Sequence, residues 1–526
     1  MDIKKLSLDE KIGQMIMAGF PSKYFDDHFM RLVREYNVGN IDLFGRNIGS
    51  IRETVSLTHD IQENMIENMG IPAFIGMDQE GGMVSRIKEG AAFFPGNMAF
   101  GAANIKGGTF EEGRIIGEVL RNMGINLDIA PVLDVNCNPE NPIIGTRSYG
   151  DNPLKVASLG VDFIKGIQSR NVLSAAKHFP GHGDTSADTH LSMPYISYGM
   201  DRLNKVELYP FRKAVNAGVD GIMTAHIVYT ALEDKGLPAT LSYNILTRLL
   251  REEMNFKGII ITDCMEMDAI ARNYGIEKAS VMAVKAGADM ICISHHLDVQ
   301  IKSIDAIKNA VLKGDIAEDR IDDSVQRIVD MKNKYNILKN PFPDIKKAEA
   351  SLENSVYLNF SREISQKSIT LVKDDNNLIP LKGDGIVSIA PEPLSLTGVE
   401  DEEKRKYAFS YAVKEKFGGK AFIIPLNPEM DLIQKISAEC KDDFRVVIGT
   451  YNANSNPGQL ELIDKIKKCN KNVIAVILRS PYDLLSIHGI STCVCTYEYT
   501  PNSVSSVLKV LDGEIKPSGN LPINIF

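Results

Sequence analysis

The sequence predicts an α/β protein of two domains, a (β/α)8 barrel followed by a smaller three-layer α/β/α sandwich. Three observations support this prediction. Short apolar runs alternate with longer amphipathic stretches along most of the chain. Titratable residues follow most of these runs in the first part of the chain, and a segment with two prolines, at 340–344, interrupts the alternation. Alternating strands and helices are typical of parallel sheets, and prolines end helices.

Eight apolar runs in the first domain have the length of buried parallel strands. They cover residues 14–19, 39–43, 73–77, 127–133, 172–177, 221–225, 258–262 and 290–294. Helical patterns lie between them, for example over 243–253, where the apolar residues recur on one helical face. Eight such units predict a closed barrel, with a doubly wound open sheet as the alternative.

The residues at the carboxyl ends of these runs favour the barrel. Six of the eight runs end in titratable groups, which are Asp78, Asp134, Lys177 with His178, His226, Asp263 and His295. An open sheet concentrates such groups at one crevice, whereas a barrel collects them around a single mouth. We therefore predict that these side chains surround one site.

The proline segment marks the end of the first domain. A helical pattern over 317–335 precedes it and is expected to pack under the barrel. We predict a barrel over 1–337, a linker over 338–352 and a sandwich over 353–526. The predicted strands of the sandwich are 369–372, 386–389, 421–425, 446–449, 473–478 and 493–497.

Composition excludes several classes of partner. The 526 residues carry a formal net charge of −9, which argues against nucleic-acid and anionic-membrane partners because both favour basic surfaces. Seven cysteines without paired spacing do not indicate a disulfide framework, and Cys493 and Cys495 are expected to be buried filling. No signal peptide or membrane span is apparent, so we expect a cytoplasmic protein.

The highest density of titratable groups follows the fifth run, in KHFPGHGDTSADTH, which begins at Lys177 and ends at His190. Pro180 and Gly181 take the chain out of the sheet at this point. The string holds one lysine, three histidines and two aspartates, a combination that suits a reaction site rather than a core. We predict that this loop carries the chemistry.

Two features of the sequence are candidates for catalysis. Asp263 is the first charged residue after a buried strand, where a carboxylate suits nucleophilic attack or general-base work. The alternative is a helix N-cap, and Glu266 and Asp268 are weaker candidates. In Asp188-Thr189-His190, the carboxylate can orient the imidazole for proton transfer near neutral pH. The alternative here is an ordinary polar surface loop.

Other polar residues suit the binding of a polyhydroxylated ligand. Lys177 and His178 share a strand end, while Asp78, Arg86 and Arg147 lie in loops after the third and fourth runs. Each could instead form a structural ion pair. A metal site at the neighbouring histidines is the rival hypothesis, but Pro180-Gly181 breaks the helical spacing of an HExxH site. We therefore predict no metal.

Five motifs occur in a fixed order: DQEGG followed by Arg86, NLDIAPVLDV, GTRSYG, KHFPGHGDT with DTH, and ITDCMEM. Together they resemble glycoside hydrolase family 3. The loop with Asp188 and His190 resembles the β-N-acetylglucosaminidase branch of that family. The resemblance covers the barrel and extends into the second domain as far as SGNLPINIF.

This resemblance implies a retaining hydrolase that releases terminal β-linked N-acetylglucosamine from glycans or peptidoglycan fragments without a cofactor. It implies Asp263 as the nucleophile and His190 as the acid/base, with Asp188 as its partner. The sugar-binding positions that it implies are Asp78, Arg86, Arg147, Lys177 and His178. Its only implied partner is carbohydrate, such as N-acetylglucosaminides or muropeptides.

One residue departs from the family pattern, because Met83 stands where an arginine usually follows DQEGG. Substrate preference is therefore open, with β-glucosidase or β-xylosidase activity as one alternative. Phosphate in place of water as acceptor is a second alternative, and a non-catalytic sugar-binding protein is a third. Sequence does not indicate the oligomeric state.

Overall fold

A computed structural model describes residues 1–87, 92–186, 193–383, 385–392, 395, 400, 408–441 and 444–525. The sequence-predicted pair Asp188 and His190 lies outside the described residues. All structural statements below concern the described part of the chain.

The first domain is a parallel eight-stranded sheet that closes into a barrel, as predicted. Its strands are β1 (Ile16–Ala18), β2 (Asn40–Leu43), β3 (Phe74–Met77), β4 (Leu127–Asp128), β5 (Leu173–Phe179), β6 (Gly221–Thr224), β7 (Ile259–Ile261) and β8 (Ile291–Ile293). Each strand pairs with its neighbour in sequence, and β8 also pairs with β1. A parallel bridge between Ile261 and Met290 joins β7 to β8 and completes the ring.

Most barrel strands are shorter than the predicted runs, and β1 and β4 are shortened most. Gln14 ends the helix Leu8–Gln14 instead of starting β1. Regular pairing in β4 stops at Asp128, and the chain continues beside β5 through single hydrogen bonds. The N–H of Leu133 donates to the carbonyl of Lys177 at 2.7 Å, and that of Lys177 donates to Pro131 at 3.1 Å. Pro131 has no N–H with which to extend the ladder.

Helices surround the barrel on its outer side. They are Leu8–Gln14, Asp27–Tyr36, Ile51–Met69, Asn97–Ala103, Gly108–Asn122, Pro153–Gln168, Met200–Lys205, Leu208–Asn216, Asn244–Glu253, Asp268–Tyr274, Ile276–Ala286, Leu297–Leu312 and Glu318–Lys334. The segment Asn244–Glu253 is π-helical. Its apolar residues, Ile245, Leu246, Leu249 and Leu250, are buried, in agreement with the predicted helical face.

The second domain is a six-stranded sheet between two layers of helices. Its strands are β9 (Thr370–Asp374), β10 (Ile386–Pro391), β11 (Lys420–Ile424), β12 (Arg445–Thr450), β13 (Val473–Ile477) and β14 (Thr492–Cys495), in the order β9-β14-β13-β12-β10-β11. Within this sheet, as far as the chain is described, β9 pairs antiparallel with β14 and the other pairings are parallel. The helices that follow the barrel are Ile345–Leu352, Ser355–Ser368, Phe409–Phe417, Met430–Ser437, Pro457–Cys469 and Pro501–Asp512.

Alternate residues of this sheet belong to two separate cores, which explains the three layers. On β14, Cys493 and Cys495 face one core, whereas Val494 faces the other. The same alternation separates Val446 and Ile448 from Val447 on β12. All four residues of β14 are buried, so the two cysteines fill apolar space.

The two domains share one of these cores. Met98, Ala99 and Ala102, on the helix Asn97–Ala103 of the first domain, are buried among residues of the sandwich. The hydroxyl of Tyr482 donates to the carbonyl of Asn136 at 2.7 Å across the same junction. The barrel is therefore tied to the sandwich by apolar packing as well as hydrogen bonds.

A segment at 520–524 lies directly against barrel loops. The N–H of Asp151 donates to the carbonyl of Pro522 at 3.2 Å, and the N–H of Asn524 donates to the Asp151 carboxylate at 2.6 Å. Gly150, with φ of +140°, allows this approach, because a side chain there would overlap the Pro522 carbonyl. The exact domain boundaries, with a linker at 338–352, stay a prediction.

Within the described residues, no helix has both the length and the apolar character needed to cross a bilayer.

Candidate active site

The carboxyl ends of the barrel strands surround a cavity of about 220 Å³. Its lining includes six residues of the sequence-predicted set, which are Asp78, Arg86, Arg147, Lys177, His178 and Asp263. Asp42, Arg46, His182, Cys264 and His295 also line it. A larger depression of about 440 Å³ lies at the opposite end of the barrel, where the helices Gly108–Asn122 and Pro153–Gln168 end. None of the described residues that line it is one of the strand-end residues named above.

A tight hairpin after β3 brings Arg86 back to Asp78. Gln79–Gly81 pairs antiparallel with Val84–Ser85, and Gly81 and Gly82 in the turn both have positive φ. The N–H of Arg86 donates to the side chain of Gln79 at 2.8 Å. The Arg86 guanidinium then lies 3.2 Å from the Asp78 carboxylate.

Five charged side chains form a continuous network along one wall. Lys177 Nζ lies 2.6 Å from Asp78 Oδ1 and 2.6 Å from Glu80 Oε1. Arg147 binds Glu80 through two parallel hydrogen bonds, of 2.9 Å from Nε and 2.7 Å from Nη2. Such two-point pairs fix the guanidinium plane, so Arg147 reaches the cavity in one orientation.

The network keeps its members charged despite burial. Burial acts to raise the pKa of Asp78, but Lys177 and Arg86 outweigh it and hold that pKa below its usual value. Burial likewise opposes ionisation of Glu80, yet Arg147 and Lys177 hold its pKa well below the usual range. Burial acts to lower the pKa of Lys177, and Asp78 and Glu80 raise it overall. The wall therefore presents fixed charges to a ligand.

Asp134 orients the histidine that follows Lys177. Its carboxylate accepts the backbone N–H of His178 at 3.1 Å and that of His182 at 2.7 Å, and it lies 2.7 Å from His178 Nδ1. Nδ1 is therefore the protonated nitrogen of the neutral ring, and Nε2 is the nitrogen left to meet a ligand. His182 contacts Thr185 Oγ1 through its own Nδ1 at 2.9 Å. Burial lowers the pKa of His182 to about 4, so its ring is neutral at pH 7.

Asp263 lies two residues beyond β7 and is partly exposed to the cavity. Its Oδ1 accepts the N–H of Cys264 at 2.8 Å. The position matches the prediction of a carboxylate at the barrel mouth. The neighbouring candidates are engaged elsewhere, because Glu266 accepts the N–H of His295 at 2.7 Å and Asp268 pairs with Arg272 at 2.7 Å.

His226 follows β6 but does not line the cavity. Its Nδ1 lies 2.8 Å from Thr240 Oγ1, and its Nε2 lies 3.0 Å from the carbonyl of Cys264. It thus braces the loop that follows Asp263. Of the strand-end residues that the sequence predicts around one site, His226 and Asp134 act behind the surface of the cavity.

The described residues on either side of the predicted acid/base show where its loop begins and ends. His182, at its beginning, lines the cavity, and its return is fixed where Tyr195–Ile196 pairs with Val228–Tyr229. Both fixed points belong to the described chain, whereas Asp188 and His190 do not. Their roles stay predictions.

Sequence reasoning missed several residues of the cavity or its wall, including Glu80, Asp42 and Arg46. Glu80 lies inside the DQEGG motif, but its pairing with Arg147 joins positions 67 residues apart. Asp42 is a charged residue within the apolar strand β2, and that break in the pattern was its only signal in the sequence. The Asp42 carboxylate accepts the Ser294 hydroxyl at 2.9 Å. Burial, helped by Asp78, raises the pKa of Asp42 to about 7.

Comparisons with known proteins agree with this architecture. A sequence model described as the glycosyl hydrolase family 3 N terminal domain matches residues 7–331. "Beta-hexosaminidase A" of Pseudoalteromonas piscicida is 29% identical and aligns with 94% of this chain and 90% of its own. A "Beta-hexosaminidase" of Nitrosomonas eutropha is 34% identical over 50% of this chain and 75% of its own.

A solved structure extends the similarity to both domains. The glycoside hydrolase family 3 beta-N-acetylglucosaminidase from Paenibacillus sp. str. FPU-7 is 36% identical, with a TM-score of 0.91 and 99% of each chain covered. The family match spans well over half of the chain, and the strand-end carboxylates and cations meet in one cavity. The chain therefore belongs to glycosyl hydrolase family 3 and is a glycoside hydrolase.

Proposed function

We propose that this enzyme releases terminal β-linked N-acetylglucosamine from glycans or peptidoglycan fragments, with retention of configuration. The observation that carries the proposal is the cavity at the barrel mouth, where Asp263 lies with five polar side chains around a space suited to one sugar ring. The printed names of the similar proteins, beta-hexosaminidase and beta-N-acetylglucosaminidase, support the 2-acetamido sugar.

In the first step, a carboxylate oxygen of Asp263 attacks the anomeric carbon as the bond to the leaving oxygen breaks. The leaving oxygen takes a proton from His190, whose imidazolium Asp188 stabilises. The product is a glycosyl ester of Asp263. In the second step, His190 takes a proton from water, the water oxygen attacks the anomeric carbon, and the ester bond to Asp263 breaks.

The charged wall holds the sugar hydroxyls in this scheme. An ammonium group has three N–H donors, and Asp78 and Glu80 accept two of those of Lys177. The third is available to a hydroxyl, as is Nε2 of His178. Asp78 and Arg147 add an acceptor and a planar donor. Since their partners already fix these groups, little side-chain entropy is lost when the sugar binds.

The test compares aryl β-glycosides of N-acetylglucosamine, glucose and xylose under identical conditions. We expect the highest kcat/KM on the N-acetylglucosaminide, with the β-anomer of the sugar as the first product seen by proton NMR. Preference for glucose or xylose would contradict the assigned substrate. An α-anomer as the first product would contradict retention.

Asp263→Asn tests the nucleophile directly. The amide keeps the size of the side chain but cannot form the glycosyl ester, so turnover should fall by roughly 10⁴-fold or more. Cys469→Ser, at an exposed thiol of the second domain, is the matched control and should keep the parental rate. Near-parental turnover by Asp263→Asn, with an unchanged circular dichroism spectrum, would refute the role.

A further inference from the structure

Three side chains at the barrel mouth combine a thiol, a carboxylate and an imidazole, a set of groups that sugar binding does not require. Cys264 Sγ, a Glu266 carboxylate oxygen and a His295 ring nitrogen all lie within 4.8 Å of one another. Cys264 and His295 line the cavity. None of the three belongs to the sequence-predicted sugar-binding set.

The donor types match a particular class of cation. A thiolate, an imidazole and a carboxylate are the ligands of Zn²⁺ and similar borderline divalent ions, whereas Mg²⁺ and Ca²⁺ favour oxygen alone. Three protein ligands also leave a fourth tetrahedral position for water or another oxygen. The exposed His295 side chain can rotate to bring its nitrogen to a metal–ligand distance.

The fold brings the three donors together through neighbouring strands. Cys264 and Glu266 lie in the loop after β7, and His295 lies just beyond β8. The N–H of Met265 donates to the carbonyl of Cys292 at 2.9 Å and holds the two strand ends side by side. The cluster is therefore set by the closure of the barrel rather than by one flexible loop.

A second layer of contacts orients the carboxylate. Glu266 accepts the N–H of His295 at 2.7 Å and that of His296 at 3.1 Å, and its Oε1 lies 2.6 Å from His296 Nδ1. Its side chain is only 7% exposed. Each carboxylate oxygen has further lone pairs for a metal, and hydrogen bonds behind a ligand of this kind raise metal affinity.

The described residues contain two other groups of potential ligands, and neither is comparable. Cys137, Asp184 and Glu207 surround Arg202, whose Nη2 lies 3.0 to 3.2 Å from all three and already supplies the positive charge. The group of His59, Asp60 and Glu63 lies along one helix, Ile51–Met69, and has no thiol.

We propose that Cys264, Glu266 and His295 bind Zn²⁺ or a similar borderline divalent ion, and that the bound ion inhibits the enzyme. On binding, the Cys264 thiol releases its proton to solvent and coordinates as a thiolate. The ion then lies beside Asp263, the residue that precedes Cys264 in the chain, and competes with the sugar for the cavity. Inhibition rests on the proposed function, whereas binding of the ion does not.

Binding is tested first, with Co²⁺ as the probe and metal-free full-length protein. We expect a thiolate-to-cobalt charge-transfer absorption in the near ultraviolet that Zn²⁺ abolishes by competition. Cys264→Ser should remove the band. His295→Ala, at an exposed side chain, should weaken Co²⁺ binding roughly 10-fold or more. The control Cys469→Ser should keep both the band and the affinity.

Inhibition is tested second, with Zn²⁺ titrated against the aryl N-acetylglucosaminide. We expect inhibition that is competitive with substrate and fully reversed by a chelator. The concentration for half-inhibition should rise at least 10-fold in Cys264→Ser and His295→Ala, each compared with its own metal-free rate.

Three results would overturn the proposal. The first is absence of the band in the parent protein, and the second is a band or inhibition that is unchanged in both variants. The third is Co²⁺ and Zn²⁺ binding at this site without inhibition, which would refute the regulatory part. A protein that shows the band but cleaves none of the glycosides would support the metal site and refute the proposed function instead.

Discussion

At the scale of single residues, the structure assigns a supporting role to Glu80. Its two carboxylate oxygens hold Arg147 and Lys177, both of which reach the cavity. The sequence predicted which side chains follow the strands, because strand ends are visible in its apolar pattern. It could not predict which of them pair, since Glu80 and Arg147 come from different loops and meet only in the closed barrel.

Glu80→Gln should therefore be costly. The amide would leave the buried Arg147 without its carboxylate partner and Lys177 with Asp78 alone. Breaking a buried ion pair in this way typically destabilises a protein by about 3–5 kcal/mol. KM for the glycoside should also rise, because Arg147 and Lys177 lose their fixed orientation. Urea unfolding and initial rates measure the two effects. Asp298→Asn, which removes an exposed pair with Lys302, is the control and should change neither.

Asp42 makes the stability of the enzyme depend on pH. Its pKa of about 7 lies above the value near 3.9 of an unfolded aspartate. The folded state therefore binds the extra proton between these values, and the contribution of Asp42 to stability is lost as pH rises from about 4 to about 7. One oxygen of this carboxylate, Oδ1, is buried without a hydrogen bond from the described residues, which accounts for the cost of charging it.

Asp42→Asn should remove this dependence. The free energy of unfolding of the variant, relative to the parent, should increase between pH 4 and pH 8, by about 1.4 kcal/mol for each unit of pKa shift removed. Denaturant unfolding at four or five pH values measures the difference. A constant difference across this range would show that Asp42 ionises normally.

The proposed role of His190 as the acid is tested by comparing substrates with poor and good leaving groups. His190→Ala should lower kcat/KM on an alkyl or natural N-acetylglucosaminide by roughly 10² to 10⁴-fold, because a poor leaving group needs the proton. With a dinitrophenyl glycoside, the rate of the first chemical step should fall far less. Equal losses on both substrates would remove the role of acid. His59→Ala, at a histidine on the helix Ile51–Met69, is the control.

At the scale of elements, the sequence predicted the number, order and type of the barrel units better than their ends. Each of the eight predicted runs overlaps a barrel strand, and β5 extends two residues beyond its run. The run at 127–133 pairs regularly only over Leu127–Asp128, because Pro131, which has no N–H, follows three residues later. The apolar face at 243–253 is correct, but the pattern did not distinguish a π-helix from an α-helix. These differences arise from hydrogen bonding between neighbours, which an apolar pattern does not encode.

The hairpin after β3 gives an element-scale prediction. Gly81 has φ of +87°, and a Cβ there would lie 2.8 Å from the carbonyl oxygen of Pro95. Gly81→Ala should therefore destabilise the protein and lower kcat/KM, because the hairpin positions Asp78 and Arg86. Gly314→Ala is the matched control, since φ is +76° there but no atom lies within 4 Å. It should cost only the left-handed conformation, about 1 kcal/mol, and leave kcat/KM unchanged.

At the scale of the whole molecule, the barrel and the sandwich are expected to unfold together. The helix Asn97–Ala103 belongs to the first domain in sequence, yet Met98, Ala99 and Ala102 complete a core of the second. Opening one domain therefore exposes apolar surface of the other. The two-domain division was predictable from the proline segment, whereas this shared core was not, because Asn97–Ala103 has no pattern that assigns it to a distant sheet.

Met98→Ala tests this coupling. The cavity should cost about 2–5 kcal/mol, and both domains should lose protection against hydrogen exchange by the same amount. Mass spectrometry of peptides from β5 and from β13 reports each domain separately, which suits a chain without tryptophan. Loss of protection confined to peptides from one domain would show independent unfolding. Met331→Ala, on the distant helix Glu318–Lys334, controls for the effect of a methionine-to-alanine change outside the shared core.

The seating of residues 520–524 on the barrel has a consequence for the order of events during synthesis. Asp151 leaves the ribosome 373 residues before Asn524, the partner that its carboxylate eventually meets. Until then, the rim of the barrel beside Ser148 and Gly150 is without its cover, and the apolar side of Asn97–Ala103 faces solvent. The newly made barrel is thus a folding intermediate that is complete only after the second domain is made. We expect chaperones to bind it at this exposed apolar surface.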